Sequence, residues 1–157
     1  MICEGVAEFG NEIPPHGPLA GLDLGTATIG VAFSDALRHV ATPRETIRRK
    51  KFGVDAEKLL TLVASNDAVG LVLGLPLNMD GSEGPRAQSA RAFARNVGQS
   101  LDLPVAFWDE RLSTVAAERA LLEGDTSRRR RAKVIDHVAA SFILQGALDR
   151  LAFMERS

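Results

Sequence analysis

The chain has 157 residues, 45% of them hydrophobic and 25% charged, with 19 Lys and Arg against 20 Asp and Glu for a net charge of −1. This is the composition of one globular domain without an apolar run of the ~18 residues a membrane span needs, so a soluble, cytoplasmic protein with no membrane partner is expected. The near-neutral sum argues against an evenly cationic surface, and the absence of tyrosine with only 5% aromatic residues argues against a platform that stacks many bases; nucleic-acid contact would be local, at clusters such as Arg48–Lys51 and Arg128–Arg131, and would read phosphate and shape.

Met1 to Ala20 lacks the basic and apolar regions of a signal peptide, and Pro14, Pro15, Gly17 and Pro18 predict an irregular N-terminal tail over residues 1–18. Its Cys3 is the single cysteine, which excludes an internal disulfide and a thiolate metal site. Leu19 to Ser34 reads as a hairpin turning at Thr26-Ala27, and Val40 to Ile47 as a third strand that Pro43 confines to an edge or a bend. The spacing of Val54, Leu59, Leu62 and Val63 predicts a first helix to Ser65. Ala68 to Leu75, apolar almost without interruption, predicts a strand buried on both faces with parallel neighbours. After a Gly- and Asn-containing loop, Pro76 to Gly84, Pro85 suits the first turn of a helix with Ala90, Phe93, Ala94, Val97 and Leu101 on one face. Pro104 to Trp108 is a fifth strand. Ser113 is an N-cap for a helix to Glu123, and a last helix runs from about Lys133 to Phe153. The expected fold is α/β, a mixed five-stranded sheet flanked by helices over residues 19–153, with 154–157 as a C-terminal tail.

Acids at three places stand out against this background. Asp23 lies in an apolar strand, where an ionised carboxylate is costly unless a metal or the turn amides beyond it compensate the charge. Asp136 sits in a helix with little polar face, where either first-turn stabilisation or ligation explains it, and His137 beside it is a second candidate. Asp109-Glu110-Arg111 closes the fifth strand at the carboxyl edge of the sheet, where ligands of α/β proteins gather. Strand alternation allows one of Asp109 and Glu110 to face Asp23; Glu110, farther along the exit and longer, is the choice. Oxygen ligands alone suit Mg²⁺ or Mn²⁺, and two such ions ~4 Å apart hydrolyse phosphodiesters.

The stretches Gly21-Leu22-Asp23-Leu24-Gly25-Thr26 with Ile29-Gly30-Val31-Ala32, Gly74 to Gly81, Asp109 to Thr114, and Asp136 followed by Val138-Ala139-Ala140 with Ile143-Leu144-Gln145 resemble the YqgF (RuvX) family of bacterial RNase H-like proteins, described as Holliday junction resolvases and as pre-16S rRNA nucleases. The resemblance runs from about Ala20 to Leu151. It implies an RNase H-like fold, a metal-binding catalytic cluster of Asp23, Glu110 and Asp136 with Asp109 as the alternative, and processing of the 5′ end of pre-16S rRNA, or else resolution of branched DNA. His137 departs from the pattern, which has Ser there.

The loop Asn78 to Gly84 matches the family as well, and its glycines are expected to leave amides free for a phosphate. Gly25, Thr26, Asn78, Arg111 and Arg128, Arg129, Arg130 and Arg131 are the candidate substrate contacts. Two other readings compete. Asp23-Leu24-Gly25-Thr26 also resembles the phosphate loop of actin-like and sugar-kinase ATPases, although the chain is too short for their two lobes. A non-catalytic module that binds RNA or ribosomal particles would use the same scaffold. Either a monomer or a homodimer is compatible with the sequence.

Overall fold

The computed structural model describes residues 1–112 and 128–155, with side chains for 1–112 and 138–155. Its elements are β1 (Ile2–Cys3), α1 (Val6–Glu12), β2 (Ala20–Leu24), β3 (Thr28–Ser34), β4 (Ala41–Arg48), α2 (Phe52–Ser65), β5 (Leu71–Leu75), α3 (Pro85–Leu101), β6 (Val105–Asp109), a 3₁₀ turn at Glu110–Leu112, and α4 (Arg128–Glu155). The strands form one mixed sheet in the order β1-β6-β5-β2-β3-β4. β2, β5 and β6 are mutually parallel and fully buried along most of their length, while β3 and β4 add as an antiparallel ribbon on one side.

Alternation along the strands divides the core into two layers. Leu22, Leu24, Ile29, Val31, Leu71, Leu73, Leu75 and Phe107 face α2 and α3, where Leu59, Ala90, Phe93 and Val97 meet them. Ala32, Val72, Ala106 and Trp108 face the other way, onto α1 and onto Ala139, Ala140, Ile143, Leu144 and Ala147 of α4. The approach of α4 requires glycine in the sheet: a Cβ on Gly21 would lie 2.6 Å from Leu144 Cβ and 2.9 Å from the Ala140 carbonyl oxygen.

The α/β architecture, the buried parallel strand and the helix beginning at Pro85 agree with the sequence reading, and Pro43 does lie on the edge strand β4, beside an irregularity in its pairing with β3 at Val31/Ala32. Two expectations change. The described sheet has six strands, not five, because residues 1–18 are not an irregular tail: Ile2 and Cys3 pair in parallel with Val105 and Ala106, and α1 packs Val6 and Phe9 into the core. The physical cause is the apolar spacing of Val6, Phe9 and Ile13, which gives the helix one buried face, while only the Pro- and Gly-rich stretch after it is irregular. Cys3 is therefore a buried free thiol, its pKa raised chiefly by burial. At the other end α4 starts at Arg128, within the arginine run, and continues to Glu155 with Met154 packed against the core, so the expected tail at 154–157 begins as helix. The helix expected from Ser113 to Glu123 lies outside the described residues.

Candidate active site

Asp23 is one of two buried acids among the described residues, at 3% exposure. The other, Asp55, is accounted for locally: its carboxylate accepts the Lys50 amide at 3.0 Å where the chain enters α2. Asp23 follows Gly21 by two residues and so shares the face of the sheet that α4 covers. Its partner on β3 is Gly30. On the other side, continuing the register Ala20↔Leu71, Gly21↔Val72, Leu22↔Leu73 brings Gly74 of β5 beside it. Glycines on both neighbouring strands leave the carboxylate in a recess with no Cβ on either flank.

Glu110 reaches the same recess from β6. Gly74 pairs with Trp108, and a Cβ on Gly74 would sit 3.4 Å from the Glu110 carboxyl carbon and 2.6 Å from Cδ1 of Ile143 on α4. The Glu110 carboxyl thus lies over Gly74 on the α4 side, one strand from Asp23, a lateral step of ~4.8 Å. The turn that begins at Glu110 releases its side chain from strict strand geometry.

Asp109 takes a different direction. It belongs to the α3 side of β6 and receives the Arg111 amide at 2.9 Å and the Arg111 guanidinium at 2.8 Å from Nη2. The Arg111 side chain holds its carboxyl below the usual carboxylate range, and the backbone hydrogen bond acts in the same direction. Arg111 Nη1 also donates to the Met79 carbonyl oxygen at 3.2 Å, tying the end of β6 to the loop after β5. Asp109 and Arg111 therefore form a brace, and Glu110 is left to face Asp23.

The loop closes on itself at one of its two glycines. Three of its amides, that of Gly81 among them, are engaged within the turn: Asn78 N donates to the Ser82 carbonyl, Gly81 N to the Asn78 carbonyl, and Ser82 N to the Asp80 carboxylate. The Asn78 side chain donates to Ser82 Oγ at 2.9 Å. Gly81, at φ 88°, is the residue that allows this closed turn. Gly25 is similarly occupied, its amide on the Thr28 carbonyl at 2.8 Å and its own carbonyl accepting Arg49 Nη1 at 2.6 Å; Thr26 is exposed at the hairpin tip. In the sequence Arg49 stands only as part of the basic cluster Arg48–Lys51, with no particular role of its own. The signal, a cation where an edge strand leaves the sheet, has meaning only once β4 is known to exit beside the β2–β3 turn.

Asp136 falls in α4, one helical turn before Ala140, which packs over Gly21; the side chains of Asp136, His137 and Arg128–Arg131 lie outside the described residues. Among the described residues no three of His, Cys, Asp and Glu gather as a metal site. The described donors, two carboxylates facing a recess without Cβ atoms, fit a hard divalent cation rather than zinc or a soft metal.

A mixed sheet with an antiparallel ribbon at one side, parallel strands in the middle and carboxylates at the carboxyl edge defines an RNase H-like protein. The solved Thermus thermophilus RuvC in complex with a Holliday junction substrate shares this fold, with a TM-score of 0.55 at 12% identity over 87% of this chain and 97% of that one. Residues 17–150 match the family RuvX, described as Holliday junction resolvase. Proteins named "Putative pre-16S rRNA nuclease" are 68% identical in Ruegeria pomeroyi, over 96% of this chain and 98% of the relative, and 68% identical in Paracoccus denitrificans, over 100% and 99%. The chain belongs to the RuvX family, a family of nucleases. No helix among the described residues is long and apolar enough to cross a membrane.

Proposed function

We propose that this protein is a metal-dependent endonuclease that trims the 5′ end of pre-16S rRNA, with Asp23, Glu110 and Asp136 as its acids. The observation that carries the reading is the placement of the Glu110 carboxyl over Gly74, on the same face as the buried Asp23 and one strand away. The relatives at 68% identity, which this chain matches over nearly their full length, support rRNA as the substrate.

Asp23 and Glu110, with Asp136 from α4, would hold Mg²⁺ or Mn²⁺. When bound, such ions supply an activated water and charge stabilisation for the departing oxygen of a phosphodiester. The chain's own residues prepare the site. Asp23 is fixed by β2 in the middle of the sheet and stays out of bulk water. Glu110 is oriented by the turn after β6, and the Asp109–Arg111 brace keeps that turn against the Asn78–Ser82 loop. Gly30 and Gly74 place no side chain of their own beside Asp23, and over Gly74 Ile143 of α4 packs next to the Glu110 carboxyl. The α4 helix closes the face opposite the sheet and excludes solvent from the base of the recess.

The test is incubation of purified protein with precursor 16S rRNA and with four-way DNA junctions, in Mg²⁺ or Mn²⁺, beside Asp23→Asn. Specific cleavage of the rRNA leader that Asp23→Asn abolishes supports the reading. Cleavage of junctions alone would move the substrate to branched DNA, and activity surviving in Asp23→Asn would remove these acids from the mechanism.

A further inference from the structure

Resting on the reading of the recess as a nuclease centre, we propose that Arg48, Lys50 and Lys51, at the exit of β4, bind the substrate's backbone phosphates on the side of the acids opposite Glu110. β4 runs antiparallel to β3 and hence in the direction of β2, so it leaves the sheet at the carboxyl edge where Asp23 lies. The sheet order places β6 with Glu110 on one flank of β2 and β4 on the other.

The connection is short and pinned. Arg49 N donates to the Ala27 carbonyl at 2.9 Å, its guanidinium donates to the Gly25 carbonyl and lies 6.0 Å from the centre of the Phe93 ring, and Lys50 N is held by the buried Asp55 carboxylate. α2 starts at Phe52, immediately after Lys51. Three exposed cations, Arg48, Lys50 and Lys51, therefore stand on a rigid backbone, which lowers the ordering cost of meeting a phosphate.

Two other cations near this edge are already matched. Arg111, on the β6 flank, is paired with Asp109, and Arg91 on α3 with Glu4 and Glu83. Arg48, Lys50 and Lys51 are exposed and form no ion pair among the described residues, which leaves their charge available to a phosphate. The groove between β4 and α2 is lined by Glu45 and Glu57 and equally by Arg48 and Lys58, so Arg48 borders it as well as the strand end.

The geometry also sets the position read. β4 lies two strand spacings from β2, ~10 Å, so the contacted phosphates fall within a few nucleotides of the scissile one. Phosphate contact of this kind positions substrate without reading its bases.

The experiment measures binding of the full chain to a precursor 16S rRNA fragment and to a four-way junction in EDTA across a salt series, for the wild type and for Arg48→Gln/Lys50→Gln/Lys51→Gln; Arg49 is left intact as the structural pin. The variant should melt as the wild type does, bind on the order of 10- to 100-fold more weakly near 0.1 M salt, and have a log–log salt slope shallower by about two to three units. Phosphate-ethylation interference should fall within a few nucleotides of the cleavage site mapped with metal, and vanish in the variant. An unchanged slope and interference pattern in the variant overturns this assignment alone. Failure of the wild type to bind either nucleic acid overturns the nuclease reading with it. If the glutamine variant melts lower, Lys50→Ala and Lys51→Ala tested singly replace it, each with an expected loss of nearly one unit of slope, and full retention of slope in both overturns the proposal.

Discussion

Asp109 and Glu110 are adjacent acids with opposite surroundings, and that difference predicts opposite phenotypes. Glu110→Gln keeps the shape of the recess but removes charge that cleavage needs, so turnover should fall by at least about 10²-fold while binding in EDTA changes little. Asp109→Asn should retain cleavage, since its carboxylate is committed to Arg111; rates of the two variants on one substrate decide the matter, and the reverse order would assign Asp109 as the ligand. The same brace has a pH signature. The folded-state pKa of Asp109 is depressed, first by the Arg111 side chain, so its stabilising contribution is present above the ordinary value near 3.8 and is lost as pH falls through the lowered one. Melting temperature should therefore decline more gently below about pH 4 in Asp109→Asn than in the wild type. At this scale the sequence showed the acids by their apolar surroundings, and the choice of Glu110 followed from side-chain length. What it could not show was the role of Gly30 and Gly74, because a glycine beside a carboxylate on another strand is visible only in the register.

Between elements, the decisive contacts are those of α4 on the sheet and of α1 on the edge at β6. Gly21→Ala pushes a methyl group into Leu144 Cβ and the Ala140 carbonyl, which are not flexible side-chain tips, so α4 has to shift. Overpacking of this kind costs about 1–3 kcal/mol, and the loss of activity should exceed what that destabilisation alone explains, because Asp136 travels with the helix. Denaturant melts and cleavage rates measured together test this; a stable, fully active variant would show that α4 is not fixed by this contact. Phe9→Ala should cost about 3–5 kcal/mol in the same melts, since Phe9 is fully buried and packs where Gly70 leaves space for its ring. The hairpin, α2, β5, α3 and β6 were legible from periodicity because each buries a long, regular apolar pattern. β1 and α1 were not: a two-residue strand and a seven-residue helix carry too few repeats, and the Pro-rich stretch after them gave the whole segment the look of a tail.

On the scale of the whole molecule, the sheet acts as a frame whose carboxyl edge gathers acids from β2 and the end of β6 and cations from the exit of β4, while covering helices close both faces. The order β-β-β-α-β-α-β was readable, but the placement of β6 and β4 on opposite flanks of β2 was not, because strand order depends on crossovers that no local pattern encodes. That arrangement puts a useful optical property in the chain. Trp108 is its only tryptophan, there is no tyrosine, and the indole is 7% exposed on β6, two residues before Glu110. Its Nε1 has no hydrogen-bond partner among the described residues, and a Cβ on Gly146 of α4 would approach its ring to 2.6 Å. Emission from this single fluorophore should be blue-shifted while α4 is docked and move to longer wavelength when the helix lifts, so the native spectrum reports closure of the recess without a label. Paramagnetic Mn²⁺ bound beside Glu110 would quench it where diamagnetic Mg²⁺ would not, turning a packing contact into a direct optical readout of metal occupancy.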